Sequence, residues 1–348
     1  MSIDSVNDIQ RYLGEEMIEH HRAGSMSRRE MFTKLVAICG SAAAASALLA
    51  ACGDDGGATS ATTTSATTTS AGNSSTAATS GAPSTTAGGA APTTATSSGL
   101  ATTPPTTQGS GAVLSVAADD PAVKGADATF PGAAGTVLGY IARPNGGPTV
   151  KRPGVIVIHE NTGLTAHIKD VTRRLAKAGY LAVAVDLASR QGGTAAVGGN
   201  ITGTLGQLSG PDAVADMNAG VTFLESQTDF NGKLGITGFC YGGGMVLRFA
   251  ANQTKVKAAV PYYGTPPDPY SQMANTAAAI LAHYGATDSR VDATIPDLEA
   301  NLVGKTYEKR VWDGAGHAFN NDTGGAYNAS VAVRAWTDTL SWFARYLA

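Results

Sequence analysis

The chain has 348 residues, of which 24 are basic and 27 acidic, so its formal net charge is −3. This balance gives no electrostatic footprint for a nucleic acid or an anionic lipid surface, and no nucleic-acid partner is expected. No Lys or Arg lies between Lys34 and Lys124, and no aromatic residue between Phe32 and Phe130. Such a stretch cannot form a packed core, so we expect the globular part to follow residue 113, with length for one full core.

The N-terminal residues carry an export pattern. Arg28 and Arg29 precede an apolar run, Leu35–Ala51, and the run closes on Cys52. A twin arginine before an apolar stretch is typical of an export address, and the whole resembles a twin-arginine lipoprotein signal. The resemblance implies that residues 1–51 are a signal segment, that cleavage precedes Cys52 and that its thiol is acylated. The protein would then be anchored to the outer face of the cytoplasmic membrane.

An uncleaved transmembrane helix is the alternative for the same apolar run. Its 17 residues are at the short end of a membrane span, and it contains Gly40, Ser41 and Ser46. Under either interpretation the C-terminal part lies outside the cytoplasm. Residues 1–26 form a polar leader with apolar residues at helical spacing, and the sequence assigns them no function.

Residues 52–112 are of low complexity and consist almost entirely of Ala, Thr, Ser, Gly and Pro. No charged residue lies between Gly56 and Ala118. Such a segment buries too little apolar surface to offset its chain entropy, so a disordered tether is predicted. As a coil it would reach roughly 40–46 Å, which suits holding a domain away from a membrane. Its Ser, Thr and Pro could also accept O-linked sugars.

After residue 113, buried strands alternate with amphipathic helices. Most of the strand patterns are continuous apolar runs, as expected where helices cover both faces of a sheet. This alternation predicts an α/β fold with a mostly parallel sheet, whose ligands bind at the carboxyl ends of the strands. A final helix is predicted over Ser330–Leu347. The predicted strands are Val155–His159, Leu181–Asp186, Leu234–Phe239, Val256–Tyr262, Ala277–Tyr284 and Tyr307–Trp312.

The third of these strands runs into a turn of the form glycine, any residue, nucleophile, any residue, glycine, with Gly238, Cys240 and Gly242 at the fixed positions. Such a turn exposes its central residue above the sheet, at the start of a helix. A helix N-terminus favours the reactive thiolate of Cys240 over the thiol, whose unperturbed pKa is about 8.5. The alternative is an inert buried cysteine on a glycine-rich turn.

The cysteine count adds to this interpretation. Cys39 would leave with the signal and Cys52 would be acylated, which leaves Cys240 as the one thiol of the mature chain. No intramolecular disulfide is then possible. In an oxidising compartment a lone thiol is a liability unless it is buried or used.

A base and an acid follow the cysteine in the chain order of an α/β-hydrolase. Asp288 follows the strand Ala277–Tyr284, and His317 follows the strand Tyr307–Trp312. We expect His317 to be the base beside the nucleophile and Asp288 to fix its tautomer. The other acids and histidines near strand ends fit this order less well or are more typical of structural roles: Asp186, Asp292, Asp313, His159, His167 and His283.

The loop after the first predicted strand, Glu160-Asn161, should face the nucleophile. The backbone N–H groups of Tyr241 and Asn161 are therefore predicted to form an oxyanion hole. Glu160 is a carboxylate at a position where few are expected. The alternative for Glu160 is a solvated loop acid.

At this point a family resemblance is evident from about Ala128 to Ala348. The chain resembles the dienelactone hydrolase (carboxymethylenebutenolidase-like) family, in which a cysteine elbow is combined with a Glu after the first core strand. The resemblance implies an α/β-hydrolase fold and a Cys240–His317–Asp288 triad. It also implies that Glu160 interacts with the resting thiol and helps to release thiolate. The matching segments are Val155–Leu164, Asp186–Gln191, Gly238–Gly243, Gly285–Asp288 and Gly316–Phe319.

One departure bears on the substrate. The family members that act on dienelactone bind its carboxylate with two arginines, one of them four residues after the active histidine, where this chain has Asn321. The other belongs after the Asp186 strand, where 195–210 contains no Lys or Arg and Arg190 is the nearby cation. A substrate carboxylate that binds without a cation loses its hydration and gains no ion pair in return. A more neutral ester or lactone is therefore expected.

The sequence thus predicts a tethered hydrolase that cleaves an ester or lactone through a thioester at Cys240. No metal or organic cofactor is expected, the partners are a small molecule and the membrane, and a monomer is favoured. Two alternatives remain. One is a tethered surface-binding module whose hydrolase fold is catalytically silent, and the other is a broad esterase for non-lactone esters.

Overall fold

The computed structural model describes residues 6–52, 114–146 and 150–348. The predicted tether, residues 52–112, lies outside the described residues from residue 53 onward. The structural statements below concern the described part of the chain.

The helices and strands are numbered in chain order. The helices are α1 (Asp8–Arg22), α2 (Arg28–Cys39), α3 (Ala42–Ala51), α4 (Ala166–Lys177), α5 (Thr194–Val197), α6 (Ile201–Gly206), α7 (Gly210–Glu225), α8 (Tyr241–Asn252), α9 (Ser289–Asp292), α10 (Ile295–Ala300) and α11 (Ala329–Leu347). The strands are β1 (Val123–Gly132), β2 (Gly135–Pro144), β3 (Arg152–Ile158), β4 (Leu181–Val185), β5 (Phe230–Phe239), β6 (Val256–Tyr262), β7 (Ala279–Gly285) and β8 (Tyr307–Trp312).

The strands form a single sheet in the order β1-β2-β4-β3-β5-β6-β7-β8. The six strands β3 to β8 pair in parallel. The edge strands pair antiparallel, β1 with β2 and β2 with β4. β4 and β7 are buried along their whole length, and β3, β5 and β6 are buried toward their carboxyl ends, because helices cover both faces. This mostly parallel sheet confirms the α/β-hydrolase fold that the sequence predicts.

The six predicted strands correspond to β3 through β8, and those over 256–262 and 307–312 have the predicted bounds. The final helix begins one residue before the predicted Ser330. The hairpin β1–β2 was not among the predicted strands. Its residues are exposed for much of β1, at the sheet edge, so it lacks the continuous apolar run that marks the core strands.

Three N-terminal helices, α1, α2 and α3, pack against the α/β part. These helices and the α/β part belong to one compact unit. Leu13, Leu35, Ile38 and Leu48 are fully buried there. The sequence instead places the start of the globular part near residue 113. The difference arises because the apolar run folds into two short helices whose apolar faces are covered by α1 and by α6.

Gly40 divides the apolar run of the predicted signal. It ends α2 in the left-handed conformation, with φ 75°, and α3 then leaves at an angle of 112° to α2. Within the described residues, no single helix has the length and apolar composition of a membrane span. The bent pair α2 and α3 meets that criterion only when the two helices are taken together.

Candidate active site

Cys240 lies at the sharp turn between β5 and α8. Its backbone has φ 56° and ψ −121°, a conformation that costs a non-glycine residue energy and is found mostly at functional sites. The N–H of Cys240 donates to the carbonyl oxygen of Tyr262 at 3.1 Å, which fixes the turn on the neighbouring strand. The sulfur is thereby held at the N-terminus of α8, at the carboxyl edge of the sheet.

The two glycines that flank the cysteine are required by the close approach of backbone. A Cβ at Gly238 would lie 2.4 Å from the carbonyl oxygen of Gly242. A Cβ at Gly242 would lie 2.4 Å from the carbonyl oxygen of Ile158. Because both contacts are with backbone atoms, no side-chain movement could relieve them, and the tight turn needs glycine at both positions.

His317 and Asp288 lie beside this turn, on the loops after β8 and β7. Nδ1 of His317 is 2.6 Å from Oδ2 of Asp288, and a ring nitrogen of His317 lies within 4.8 Å of Sγ of Cys240. Nε2 of His317 is buried and has no hydrogen-bond partner among the described residues. Burial lowers the pKa of His317, but the adjacent Cys240 and Asp288 outweigh it and raise the pKa well above the ordinary value. The structure therefore brings together the three residues of the predicted triad.

Three of the competing residues, Asp186, His159 and His283, are engaged elsewhere. Oδ2 of Asp186 accepts a hydrogen bond from the N–H of Thr194 at 2.7 Å and so orders the loop after β4. Nε2 of His159 accepts from the N–H of Leu187 at 3.0 Å. Burial lowers the pKa of His283 to about 3, so this ring is neutral at physiological pH. These residues have structural roles, in keeping with the sequence interpretation.

Asn161 and Tyr241, the predicted oxyanion-hole residues, flank the nucleophile on two elements. Tyr241 is the first residue of α8, so its N–H has no acceptor within the helix. Asn161 is nearly buried in the turn after β3, which is closed by a hydrogen bond from Gly163 to Glu160. Both N–H groups therefore belong to backbone near Cys240 that is not part of the regular hydrogen-bond ladders.

Glu160 is buried and is not the solvated loop acid of the alternative interpretation. Its Oε2 accepts a hydrogen bond from Nδ2 of Asn321 at 2.6 Å, while its Oε1 is buried without a partner among the described residues. Burial raises the pKa of Glu160 to about 7, against the opposing effect of the Asn321 hydrogen bond. The position where the resemblance implies a substrate-binding Arg thus holds a residue that fixes Glu160.

The thiol of Cys240 does not hydrogen bond Glu160. Sγ lies 3.3 Å from Oε1 of Glu16, to which it donates, and the hydroxyl of Tyr12 donates to Sγ at 3.5 Å. Both partners are on α1. The resemblance implies that Glu160 interacts with the resting thiol. In this conformation the charge of Glu160 contributes to the raised pKa of Cys240, while the hydrogen bond from the thiol goes to an acid of the N-terminal helix.

Burial and a neighbouring acid act on the ionisation of the thiol as well as the helix N-terminus does. The α8 N-terminus was expected to favour thiolate, but Cys240 is only 3% exposed. Burial, and then the carboxylate of Glu16, raise the pKa of Cys240 above the ordinary value, against the lowering effect of His317. While α1 is in place, Glu16 therefore opposes ionisation of the thiol and His317 favours it.

Two arginines of the α/β part are paired with α1 at the rim of the site. Arg248 on α8 pairs with Asp8, and Nε of Arg290 donates to Oε2 of Glu19 at 3.0 Å. Arg190, the cation singled out from the sequence, is instead paired with Asp216. The sequence analysis did not find the α1 contacts, although the helical spacing of the leader and its N-terminal capping box were visible signals.

One cavity lies beside α8, the helix that begins directly after the nucleophile. A cavity of about 20 Å³ lies between α1 and α8, and Tyr12, Tyr241 and Met245 are among its lining residues. A larger cavity, about 440 Å³, lies at the edge hairpin against Lys124 and Arg143, far from Cys240 in the sheet order. Neither cavity is lined by Cys240 or His317, so we place the active site by the side-chain geometry at the elbow rather than by a cavity.

The donor atoms of Glu16, Cys240 and His317 all lie within 4.8 Å of one another. Thiolate, imidazole and carboxylate are ligands that suit zinc, so these three could hold such an ion. A second such group, His167, Asp170 and Asp322, is neutralised by Arg174, which pairs with both of its acids.

Comparison with known proteins supports the same assignment. The model of the dienelactone hydrolase family matches residues 137–347. A carboxymethylenebutenolidase homologue from Methylorubrum extorquens is 34% identical over 253 residues, which cover 68% of this chain and 86% of that protein. A lactonase homologue from Bradyrhizobium, described as acting on 2-oxo-3-(5-oxofuran-2-ylidene)propanoate, is 32% identical and covers 60% of this chain and 90% of its own length.

The solved structures agree. A dienelactone hydrolase-like crystal structure from Klebsiella pneumoniae has a TM-score of 0.60 and 30% identity, and covers 65% of this chain and 100% of its own. The α/β part therefore corresponds to a complete chain in that relative. Together with the covered elbow cysteine, these matches establish that the chain belongs to the dienelactone hydrolase family of ester and lactone hydrolases.

Proposed function

We propose that the chain hydrolyses an ester or lactone with Cys240 as nucleophile, His317 as base and Asp288 as the residue that orients His317. The observation that carries the proposal is the geometry at the elbow. A cysteine in a strained left-handed conformation lies within 4.8 Å of a histidine nitrogen, and the other nitrogen of that histidine is 2.6 Å from a buried carboxylate. This is the arrangement of nucleophile, base and orienting acid that acyl transfer requires.

The reaction would proceed in two steps. In the first, His317 takes the proton of the Cys240 thiol, the sulfur attacks the carbonyl carbon, and the imidazolium returns the proton to the leaving alkoxide. A thioester and a free alcohol, or the opened end of a lactone, result. In the second step His317 removes a proton from water, the hydroxide attacks the thioester, and the carboxylic acid leaves as the thiol is reformed.

The oxyanion formed in each step would be stabilised by the N–H groups of Tyr241 and Asn161, which belong to the start of α8 and to the loop after β3. Glu160 is held on the same loop by Asn321. Since Asn321 offers an amide where a cation would bind a substrate carboxylate, we expect a neutral acyl group.

We also propose that the hydrolase is exported and tethered to the outer face of the cytoplasmic membrane as a lipid-anchored monomer. The supporting features are the twin arginine, exposed at the start of α2, and Cys52 directly after α3. The anchor would be an acyl group on the thiol of Cys52. Expression of the chain and of Cys52→Ser in a bacterial host with labelled palmitate tests this, and equal label in the two would refute it.

The catalytic proposal is tested with residues 113–348, the part that matches a complete relative. We expect Cys240→Ala to lower kcat/KM for a reactive ester by about 10⁴-fold or more. Cys39 and Cys52 are absent from this part, so no other thiol can substitute. Unchanged esterase activity in Cys240→Ala would refute the assignment, and absence of turnover in the parent protein would favour the silent binding module.

The substrate class is tested with a matched panel. Neutral lactones, lactones that carry a carboxylate, p-nitrophenyl esters and polyesters are compared by kcat/KM. We expect the neutral lactones to be turned over faster than their carboxylate-bearing counterparts. The reverse order would refute the neutral acyl group, and a preference for acyclic esters or polyesters would support the broad esterase.

A further inference from the structure

The reactive sulfur of the hydrolase is covered by a helix that lies outside the catalytic fold. Tyr12 and Glu16, both on α1, hold Sγ of Cys240 between a phenol and a carboxylate, at 3.5 Å and 3.3 Å. Both side chains are buried, and the donor atoms of Glu16, Cys240 and His317 lie within 4.8 Å of one another. A substrate carbonyl that is to reach the sulfur would need the space that Glu16 and Tyr12 fill.

Pairs of opposite charge hold α1 over the site. Asp8 pairs with Arg248 at the first turn of the helix, and Glu19 pairs with Arg290 near its last turn. The guanidinium of Arg290 also lies over the ring of Tyr12, 4.8 Å from its centre. The acids of the helix thus face the basic rim of the site at both ends of the residues that touch Cys240.

Helix α2 links α1 to the α/β part through apolar packing and two amide hydrogen bonds. Ile38 of α2 is fully buried against α6, where a Cβ at Gly206 would lie 2.9 Å from both the carbonyl oxygen and Cγ2 of Ile38. The same carbonyl oxygen accepts hydrogen bonds from Nε2 of Gln10 at 3.0 Å and from Nε2 of Gln207 at 2.7 Å. The amide of Gln10 therefore ties α1 to α2, and that of Gln207 ties α2 to the α/β part.

We propose that residues 7–51 are an intramolecular inhibitor, with α1 occupying the substrate position over Cys240, and that the hydrolase becomes active when this segment is removed or displaced. The inference rests on the proposed function, because it concerns the same nucleophile and because cleavage before Cys52, which the resemblance to a lipoprotein signal implies, would detach the segment. The surface it vacates fits an acidic helix with an aromatic residue in its second turn, and α1 is its occupant in the same chain.

An inhibitory role accounts for the contacts better than a catalytic one. The Cys240 thiol donates its proton to Glu16, whereas attack on a carbonyl needs that proton on His317. The carboxylate of Glu16 would also repel a developing oxyanion, which oxyanion holes stabilise with N–H donors. The cavity between α1 and α8 holds about 20 Å³, less than a small lactone occupies.

The test uses the full chain and measures the rate at which iodoacetamide alkylates Cys240, with mass spectrometry to separate this thiol from Cys39 and Cys52. The variant Asp8→Arg/Glu19→Arg places like charges at both rim pairs. We expect alkylation of Cys240 to accelerate by about tenfold or more, since the helix then opens locally without global unfolding. Ester turnover by the full chain should rise in parallel.

Two controls accompany this variant. Glu30→Arg changes an exposed acid of α2 that pairs with Lys34, so it alters the charge of the N-terminal helices without touching the rim. We expect no acceleration from it. In Asp8→Arg/Arg248→Asp the reversed pair can form again, so alkylation should be slower than in Asp8→Arg alone. Tyr12→Ala/Glu16→Ala, which removes the contacts to the sulfur itself, is a second route to the uncovered thiol.

The outcomes separate this inference from the proposed function, because alkylation needs no substrate. Unchanged alkylation in both uncovering variants would overturn the inhibitor. Faster alkylation with a fall in turnover, relative to the parent chain, would also overturn it, since α1 would then be part of the catalytic site. Faster alkylation of Cys240 with no ester turnover in any form, including residues 113–348, would retain the covering helix and refute the hydrolase mechanism.

Discussion

The residues around Sγ of Cys240 come from two regions that are held in different ways. On one side, the elbow between β5 and α8 is fixed by backbone: Gly238 and Gly242 pack against carbonyl groups, and the N–H of Cys240 is bonded to the next strand. On the other side, α1 is held by ion pairs and by the packing of α2 on α6. The elbow, which is fixed by backbone contacts, cannot move without unfolding the sheet. A helix that is held by side-chain contacts can detach while the sheet stays folded.

This difference suits an enzyme whose catalytic residues are assembled before the helix that covers them is removed. The proposed base and its proposed orienting acid, His317 and Asp288, lie 2.6 Å apart, and neither residue belongs to the N-terminal helices. Release of α1 would change the environment of the sulfur by removing Glu16 and by admitting water. Both changes lower the pKa of Cys240 toward its ordinary value and favour the thiolate.

Among variants that keep Cys240, the largest effect is expected on the backbone-fixed side, from Asp288→Asn. The amide can present its N–H₂ group to Nδ1 of His317, which then loses the tautomer that a base needs. We expect kcat for residues 113–348 to fall by about 10³–10⁴-fold with little change in stability. Steady-state kinetics on a reactive ester measures this. Asp313→Asn, an exposed acid four residues before His317, is the matched control.

In the full chain the same substitution separates the two regions. Cys240 should still be alkylated slowly in Asp288→Asn, because the side chains that cover the sulfur are on α1. If Asp288→Asn uncovered the thiol as far as the rim-charge variant does, the two regions would not be independent. Near-normal kcat in Asp288→Asn would instead remove Asp288 from the proposed triad.

A matched pair of leucines tests whether the regions are also independent in stability. Leu175 of α4 and Leu35 of α2 are both fully buried, one in the α/β core and one among the N-terminal helices. Truncation to Ala costs about 2–5 kcal/mol at such sites. We expect Leu175→Ala to lower the free energy of unfolding of the main transition in urea by that amount. Leu35→Ala should leave that transition nearly unchanged and accelerate alkylation of Cys240.

An equal shift of the main transition in both leucine variants would contradict the comparison, since the N-terminal helices would then unfold only with the sheet. The measurement is equilibrium unfolding followed by tryptophan fluorescence. This probe suits the purpose because Trp312, Trp336 and Trp342 all lie in the α/β part.

The sequence was informative where structure is decided locally. The buried strands, the glycines around Cys240 and the order of Asp288 and His317 could all be read from short segments, because strand patterns and tight turns depend on neighbours in the chain. The edge hairpin β1–β2 could not, since its half-exposed residues give no continuous apolar run.

The contacts of α1 could not be predicted for a different reason. Glu16 and Cys240 are separated by 224 positions and by the low-complexity segment, so no local pattern joins them. The role of Asn321 was also missed. Its identity suggested a lost cation, but only its position shows that it holds Glu160. Side-chain contacts across long separations are set by the packed fold as a whole.

The smallest effect is expected from Glu160, the acid that belongs to the backbone-fixed side. Burial raises its pKa to about 7, so the native state binds a proton more tightly than the unfolded chain, whose Glu has a pKa near 4.5. The stabilisation from this proton is complete below pH 4.5 and is lost as the pH rises through 7. By pH 8 the loss amounts to at most about 3 kcal/mol.

Glu160→Gln keeps the oxygen that accepts from Asn321 but cannot ionise, so its stability should not fall over this pH range on account of residue 160. We expect the variant to gain on the parent chain between pH 5 and pH 8, by up to about 3 kcal/mol, in urea unfolding. Glu225→Gln, at an exposed acid that pairs with Lys255, should show no such gain. If the difference between Glu160→Gln and the parent stayed constant with pH, Glu160 would be ionised throughout. Protonation of Glu160 could then play no part in the ionisation of the Cys240 thiol. Glu16, on the N-terminal helix, would be the neighbouring acid that controls it.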